Sequence, residues 1–252
     1  MNSISTLNNN LDTLKLMKIK ENINTYLDLI ADGKKTTLDA LIELTSLELE
    51  YKQDLAITSC VKVANFPFLK EIKDFDFSYQ PSIDKRKIID LMTLRFIDNY
   101  ENIIFCGTPG VGKTNLAVSI GIEAAKNRIS TYFISFHELI SQLKTAKYEN
   151  RLDVRTKWFC RYKLLIIDEV GYEKMDSDTA NLFFNLISKR YEKSSTIITT
   201  NLVFSKWPDV FGEPTLTNAL LDRLLHHCSV ININGPSYRL KDQLQYFVDS
   251  DK

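Results

Sequence analysis

A glycine-rich segment at residues 107–114, GTPGVGKT, fits the G-x-x-x-x-G-K-T pattern of a phosphate-binding loop. Its glycines let the backbone wrap closely around an anion, and N–H groups at the start of a helix point toward that anion. Lys113 is expected to reach the β- and γ-phosphates of a nucleotide, and the Thr114 hydroxyl to ligate Mg²⁺. An apolar strand precedes the loop and an amphipathic helix follows, as the motif requires. The predicted nucleotide-binding residues are Gly107, Thr108, Pro109, Gly110, Val111, Gly112, Lys113, Thr114 and Asn115.

A second motif, LLIIDE at residues 164–169, ends an apolar strand in two carboxylates. Buried strands of α/β sheets deliver the residues at their C-terminal ends to the ligand site. Asp168 is therefore predicted to hold Mg²⁺, mostly through water, and Glu169 to act as the general base that polarises an attacking water. Alone, this motif could be an ordinary buried strand ending in solvated acids. Together, the two motifs predict binding and Mg²⁺-dependent hydrolysis of ATP.

Three more polar residues are candidates for the same site. Asn201 ends the predicted strand TIITT and could orient the attacking water, although asparagine is also common in turns. Arg223, near the end of a predicted helix, could stabilise the transferred phosphoryl group from a neighbouring subunit, or could pair with Asp222 at the surface. Arg239, in GPSYRLKD, is a candidate for a second, phosphate-sensing arginine.

Local charge gives the only compositional argument for nucleic acid, because the whole chain has 32 basic and 32 acidic residues and no net charge. Residues 123–163 contain nine Lys or Arg and four acids. Four of these basic residues are three, four and four positions apart, which places them on one face if a single helix continues through them. They are Lys144, Lys147, Arg151 and Arg155. Such a face could bind DNA phosphates, or it could be an ordinary solvated surface.

Other metal sites and membrane association receive no support from the sequence. The four cysteines are far apart and form no C-x-x-C pair, so a reducing compartment fits better than a zinc cluster or disulfides. His226 and His227 are adjacent, so their side chains would point in different directions on a helix, and a structural role is favoured. No apolar run approaches the roughly 20 residues of a membrane span, and the N-terminus does not resemble a signal peptide. A soluble cytoplasmic protein is expected.

The secondary-structure elements that must position these residues fall into two parts, one helical and one in which strands alternate with helices. Residues 1–65 have apolar residues at helical spacing after a stretch, 1–10, that is expected to be disordered; Thr37 is the predicted N-cap of a long second helix. Residues 66–100 are interpreted as a connector that contains one helix. The predicted apolar side of this helix consists of Ile88, Ile89, Leu91, Met92 and Phe96. Residues 101–252 alternate five strands with helices, which predicts a parallel sheet covered on both faces.

Beyond the two motifs, the chain resembles the IstB-like family of transposition helper ATPases, which is close to the DnaC-like helicase loaders of the AAA+ class. The resemblance extends from about Leu14 to Lys241. The segments that carry it are FDFSYQPSIDKRKI (75–88), ENIIFCGTPGVGKTNLAVSIG (101–121), LLIIDEVGY (164–172), NLFFNLISKRYEKSSTIITTN (181–201), FSKWPDVFGEP (204–214) and LLDRLLHHCSVININGPSYRLK (220–241).

This resemblance implies a three-layer P-loop sandwich of the AAA+ class, with sheet order 5-1-4-3-2 and a small helical N-terminal domain. It implies a homo-oligomer with ATP between subunits, in which Arg223 reaches the neighbour's nucleotide. It also implies that ATP-bound oligomers bend double-stranded DNA and recruit a cognate transposase, with hydrolysis as a switch. A DnaC-like helicase loader is the alternative function, and a scaffold without turnover or a small-molecule kinase are further ones. Since few residues follow Lys241, no separate lid domain is expected.

Overall fold

The computed structural model describes residues 3–172 and 174–240, and the chain divides into two compact units at Ser59 and Cys60. The helices are α1 (Ser3–Thr13), α2 (Met17–Ala31), α3 (Thr37–Val63), α4 (Lys85–Leu91), α5 (Arg95–Asp98), α6 (Lys113–Lys126), α7 (Phe136–Tyr148), α8 (Leu152–Cys160), α9 (Ser177–Arg190), α10 (Trp207–Phe211) and α11 (Pro214–Leu225). The strands are β1 (Asn102–Gly107), β2 (Thr131–Ser135), β3 (Leu164–Val170), β4 (Ser195–Thr200) and β5 (Cys228–Ile233). Within the described residues, no helix is long and apolar enough to cross a bilayer.

The N-terminal unit is formed by α1, α2 and most of α3. Residues 1–10 were expected to be disordered. This expectation is wrong for residues 3–10, which belong to α1, a helix that buries Leu11. The long helix also begins one residue earlier than predicted. The hydroxyl of Thr36 accepts a hydrogen bond from the Asp39 N–H at 3.1 Å, so Thr36 caps α3 in place of Thr37.

A carboxylate from α3 caps the start of α2. Glu48 is only 3% exposed and accepts hydrogen bonds from the backbone N–H groups of Lys18 at 2.7 Å and Ile19 at 3.2 Å. Leu16, which precedes α2, supplies no side-chain cap of its own. The negative charge therefore satisfies free N–H groups at the positive end of the α2 dipole and joins two helices of this unit.

The second unit is built on one sheet of five parallel strands in the order β2-β3-β4-β1-β5. Read from the other edge this is 5-1-4-3-2, so the predicted topology is confirmed. Side chains alternate along β1: Ile103 and Phe105 enter one core, with α4, α5 and α6, whereas Ile104 and Cys106 enter the other, with α7 to α11. Both faces are covered, which explains the nearly continuous apolar strands.

Residues 66–100, predicted as a connector, contribute to the core on the α6 face. The prediction of a single helix in this segment is wrong, because the segment contains two. α4 ends at Leu91, and α5 starts only after Leu94, whose backbone is left-handed with φ +64°. This break changes which side chains share a face. Ile88 and Phe96 are buried as expected, whereas Ile89 is 47% exposed.

A buried arginine joins the ends of several elements in the second unit. Arg190, the last residue of α9, is 1% exposed and donates hydrogen bonds to a hydroxyl and three backbone carbonyls. Its partners are Thr196 Oγ1 at 3.1 Å, Phe159 O at 2.9 Å, Tyr162 O at 2.9 Å and Ser195 O at 2.5 Å. Burial lowers the pKa of the guanidinium to about 10, so it stays charged at neutral pH. The carbonyl dipoles stabilise this cation and fix α9 against β4.

Candidate functional site

The glycine-rich loop connects the end of β1 to the start of α6. Gly112 has a left-handed backbone with φ +99°, and a Cβ at this position would lie 2.7 Å from the ring of Phe75. Gly110 has φ +81°, and its Cβ would lie 2.0 Å from the Ser237 hydroxyl. Both positions therefore require glycine. The loop can bring its backbone close to an anion only because these side chains are absent.

Lys113 lies at the start of α6 and is 8% exposed. Its ammonium donates hydrogen bonds to the carbonyl oxygens of Gly107 and Thr108, both at 2.8 Å. Burial lowers the pKa of Lys113, and the charge of Asp168 partly opposes that shift. A phosphate in the loop would give this desolvated cation an opposite charge that two neutral carbonyls do not supply.

The predicted metal end of the site is assembled around Asp168, at the C-terminal part of β3. Its buried carboxylate accepts hydrogen bonds from Thr114 Oγ1 at 2.9 Å and Thr199 Oγ1 at 2.5 Å. Carboxylate and hydroxyl oxygens are the donors that Mg²⁺ prefers, so the residues present fit this ion. Thr114 and Asp168, which were predicted separately from two motifs, thus meet in space.

Glu169 has an unusual backbone for a strand residue. Its φ is +63°, and the pairing of β3 with β4 shifts register between Ile167 and Val170. The Glu169 N–H donates to Thr199 Oγ1 at 2.9 Å, and the carboxylate side chain is exposed toward the cavity. Such a bulge separates two successive carboxylates, one buried and one accessible, as their different predicted roles require.

Thr199 is a site residue that the motifs did not identify. Its hydroxyl donates to Asp168 and accepts from the backbone of Glu169, so one side chain orients both acids. The available signal was a threonine near the C-terminal end of the strand next to β3. Asn201, which follows two residues later, lines the same cavity together with Glu169.

The cavity above the loop has a volume of about 530 Å³. Besides the loop and the two acids, its walls include residues from the segment before β1, such as Phe68, Phe75, Asp76 and Gln80. Sequence reasoning missed this wall because it treated residues 66–100 as a connector. The aromatic segment FDFSYQP was the signal that could have indicated it.

Arg239 reaches this cavity from within the same chain. After β5, the backbone returns to the loop, and the Tyr238 N–H donates to Gly110 O at 2.8 Å. The contact places the neighbouring Arg239 in the cavity wall, where its positive charge contributes to lowering the pKa of Lys113. Arg239 therefore lines the same cavity as the loop, and its phosphate-sensing role stays a prediction.

Arg223 lies elsewhere on the unit and is not among the described residues that line the cavity. It donates to the Ala219 carbonyl at 3.1 Å, and its guanidinium stacks 4.6 Å from the ring centre of Phe184. Among the described residues it forms no ion pair with Asp222. The alternative of a surface pair with Asp222 therefore finds no support, and Arg223 is missing from the described lining of the cavity in one chain.

The condition for a single basic helix face, one helix running through all four residues, is not met. α7 ends at Tyr148 and α8 begins at Leu152, with Asn150 left-handed at φ +56° between them, so the four residues do not share one helix. Each has a polar partner in the structure: Lys144 with Asp176 at 3.1 Å, Lys147 with Asp178 at 2.8 Å, Arg151 with Glu149, and Arg155 with Gln142. Lys144 and Lys147 lie on α7, Arg151 lies in the break that follows, and Arg155 lies on α8, which packs against α7.

Known proteins resemble this chain over most of its length. Residues 9–246 match the model of the family described as IstB-like ATP binding protein. The chain is 50% identical over 241 residues to the protein assigned as the ATP-binding protein of insertion sequence IS232 from Bacillus thuringiensis subsp. berliner, covering 96% of both chains. It is 44% identical over 203 residues to that of IS5376 from Geobacillus stearothermophilus, covering 81% of both.

Similar solved structures extend the comparison to the fold. DnaI matches with a TM-score of 0.55 and 20% identity, over 70% of this chain and 93% of that one. The DnaC helicase loader matches with a TM-score of 0.52 and 24% identity, over 68% and 96% of the two chains. With identities of 20% and 24%, this likeness shows that the fold is shared and nothing beyond the fold.

Proposed function

The chain belongs to the IstB-like ATP-binding protein family, and from this premise we propose that it is a cytoplasmic, Mg²⁺-dependent ATPase that helps an insertion sequence to transpose. In this proposal it oligomerises on double-stranded DNA, bends or remodels the DNA, and recruits a cognate transposase, with ATP hydrolysis as the switch. The observation that carries the proposal is the joint position of the loop, Asp168 and Glu169 around one cavity, in a chain matched to the family over residues 9–246.

The residues of the cavity have separable tasks in this proposal. The loop N–H groups and Lys113 bind the β- and γ-phosphates, while Thr114 and Asp168 would hold Mg²⁺. When bound, this ion would supply positive charge that neutralises phosphate oxygens. Glu169 accepts a proton from the attacking water, and Asn201 orients that water.

Helicase loading remains the alternative within the same fold. It is supported by likeness to DnaI and the DnaC helicase loader at 20% and 24% identity, whereas the insertion-sequence relatives reach 50%. We therefore favour the transposition helper. The test is a pull-down in which the immobilised full chain is incubated with ATP and either a cognate transposase or the host's replicative helicase. We expect the chain to retain the transposase. Retention of the helicase alone would reverse the assignment.

Thr199→Val should lower ATP turnover by about 10- to 100-fold, because it removes the hydroxyl that orients the acids while keeping the side-chain shape. The apparent Mg²⁺ requirement should rise, since Asp168 loses a partner. Thr199→Ser keeps the hydroxyl and should recover most of the activity. The measurement is steady-state phosphate release over a Mg²⁺ titration. Equal Mg²⁺ dependence in Thr199→Val and the unmodified chain would contradict this positioning role.

We expect duplex DNA binding to weaken at least tenfold in a variant with three changes to glutamate, at Lys144, Lys147 and Arg151. If each contacts one phosphate, the slope of log affinity against log salt should also fall by about 2 to 3. Their ion pairs are on the surface, where solvent screens such pairs and makes them weak, so DNA phosphates can displace those carboxylates. Fluorescence anisotropy with labelled duplex and an ATP analogue measures both quantities.

The matched control for this DNA experiment reverses three exposed lysines elsewhere in the second unit. Lys73, Lys85 and Lys206 changed to glutamate alter the net charge by the same amount. This control should retain the salt slope of the unmodified chain. If both triple variants bind DNA equally well, the DNA contact does not involve the basic residues of α7 and the loop that follows it.

A further inference from the structure

A cluster of three possible metal ligands lies outside the nucleotide cavity, where α9 and α11 end. Glu192 follows α9, and His226 and His227 follow α11 immediately before β5. The Glu192 Oε1 atom is 3.7 Å from His226 Nδ1 and 3.7 Å from His227 Nε2. All three ligand atoms lie within 4.8 Å of one another.

The side chains of His226 and His227 do not point apart, so the premise on which the sequence favoured a structural role for them is wrong. It assumed that both histidines continue a helix, on which adjacent side chains diverge. α11 ends at Leu225, and beyond it the two imidazole rings come together with their centres 4.0 Å apart. The third ligand, Glu192, comes from the loop before β4 and is distant in sequence, so no local motif could reveal it.

We propose that Glu192, His226 and His227 form a binding site for a divalent transition-metal ion of the zinc type. Two imidazole nitrogens and a carboxylate oxygen suit Zn²⁺ or Co²⁺, whereas Mg²⁺ prefers oxygen ligands alone. Bond lengths of about 2.0–2.2 Å in a tetrahedral site correspond to ligand atoms roughly 3.4 Å apart, close to the 3.7 Å observed. The three residues are exposed, so water can occupy the remaining position.

The ion would cross-link the segments that follow the C-terminal ends of α9 and α11. One ligand follows α9 and two follow α11, and the same helices meet where Arg223 stacks on Phe184. The Tyr191 hydroxyl hydrogen-bonds His226 Nδ1 at 2.7 Å, and metal binding would replace that contact. Because the site requires the folded arrangement of both helix ends, bound metal should stabilise the folded state.

The test uses the untagged, nucleotide-free full chain, since a histidine tag or a phosphate would itself bind metal. Zn²⁺ is titrated calorimetrically with millimolar Mg²⁺ present, and Co²⁺ is added to record its visible ligand-field absorption. We expect one equivalent of Zn²⁺, a tetrahedral Co²⁺ spectrum and a higher melting temperature with Zn²⁺. His227→Ala and the near-isosteric Glu192→Gln should each lower the Zn²⁺ affinity at least tenfold.

Two control variants exclude other ligands. His137→Ala removes the remaining histidine of the chain, and Cys228→Ser removes the thiol next to His227; both should bind Zn²⁺ like the unmodified chain. Circular dichroism establishes that each variant is folded. The proposal is overturned if no Zn²⁺ binds, if folded Glu192→Gln and His227→Ala bind it unchanged, or if only Cys228→Ser abolishes binding.

Discussion

Glu169→Gln should reduce ATP turnover by about 100- to 10,000-fold while ATP affinity changes by less than about threefold, the range expected when a general base is removed. The amide cannot accept the proton of the attacking water. It has nearly the same shape as the carboxylate, and the N–H···Oγ1 contact with Thr199 is made by the backbone, so the bulge should persist. Binding residues of the loop are untouched.

Two measurements separate these effects: phosphate release under saturating ATP, and the affinity of a fluorescent ATP analogue. Glu138→Gln, an exposed glutamate on α7 outside the cavity, is the matched control and should retain full turnover. Unchanged hydrolysis in Glu169→Gln would exclude this residue as the base. If the variant lost nucleotide binding as well as turnover, Glu169 would instead have a structural role in maintaining the cavity.

Features coded by local sequence were the ones predicted well. The loop, LLIIDE and the alternation of strands with helices gave all five strands, because buried parallel strands are short apolar runs and the phosphate loop must join a strand to a helix. Strand order came from family resemblance, since strand lengths alone do not specify it. Thr114 and Asp168 meet because both motifs lie at the C-terminal ends of their strands, and their role as Mg²⁺ ligands stays a prediction.

Features that depend on backbone breaks or distant contacts were missed. Apolar and basic spacing cannot show that a helix stops at residues 149–151 or after Leu91, because the same residue types occur on either side of the break. The left-handed backbone of Glu169 has no glycine to mark it. Thr199 and Glu192 acquire their importance only when the sheet and the helix ends bring them to residues far away in sequence.

Arg223→Ala should lower turnover by about 1,000-fold or more and spare nucleotide binding, if this arginine completes the site of a neighbouring subunit. The basis is that Arg223 is absent from the described lining of its own chain's cavity, while Arg239 is present there. Phosphate release and analogue binding measure the two effects. Asp222→Ala is the control for helix integrity, since Asp222 forms no ion pair with Arg223 among the described residues.

Mixing two inactive variants can then show whether Arg223 acts between chains. In an equimolar mixture of Arg223→Ala and Glu169→Gln, an interface regains both groups when the first variant supplies Glu169 and the second supplies Arg223. Random assembly through a head-to-tail interface would restore about a quarter of the interfaces. If Arg223 served its own chain, no chain in the mixture would possess both groups, and phosphate release would stay at the level of the separate variants. Recovery of activity on mixing is therefore the result that a shared site requires.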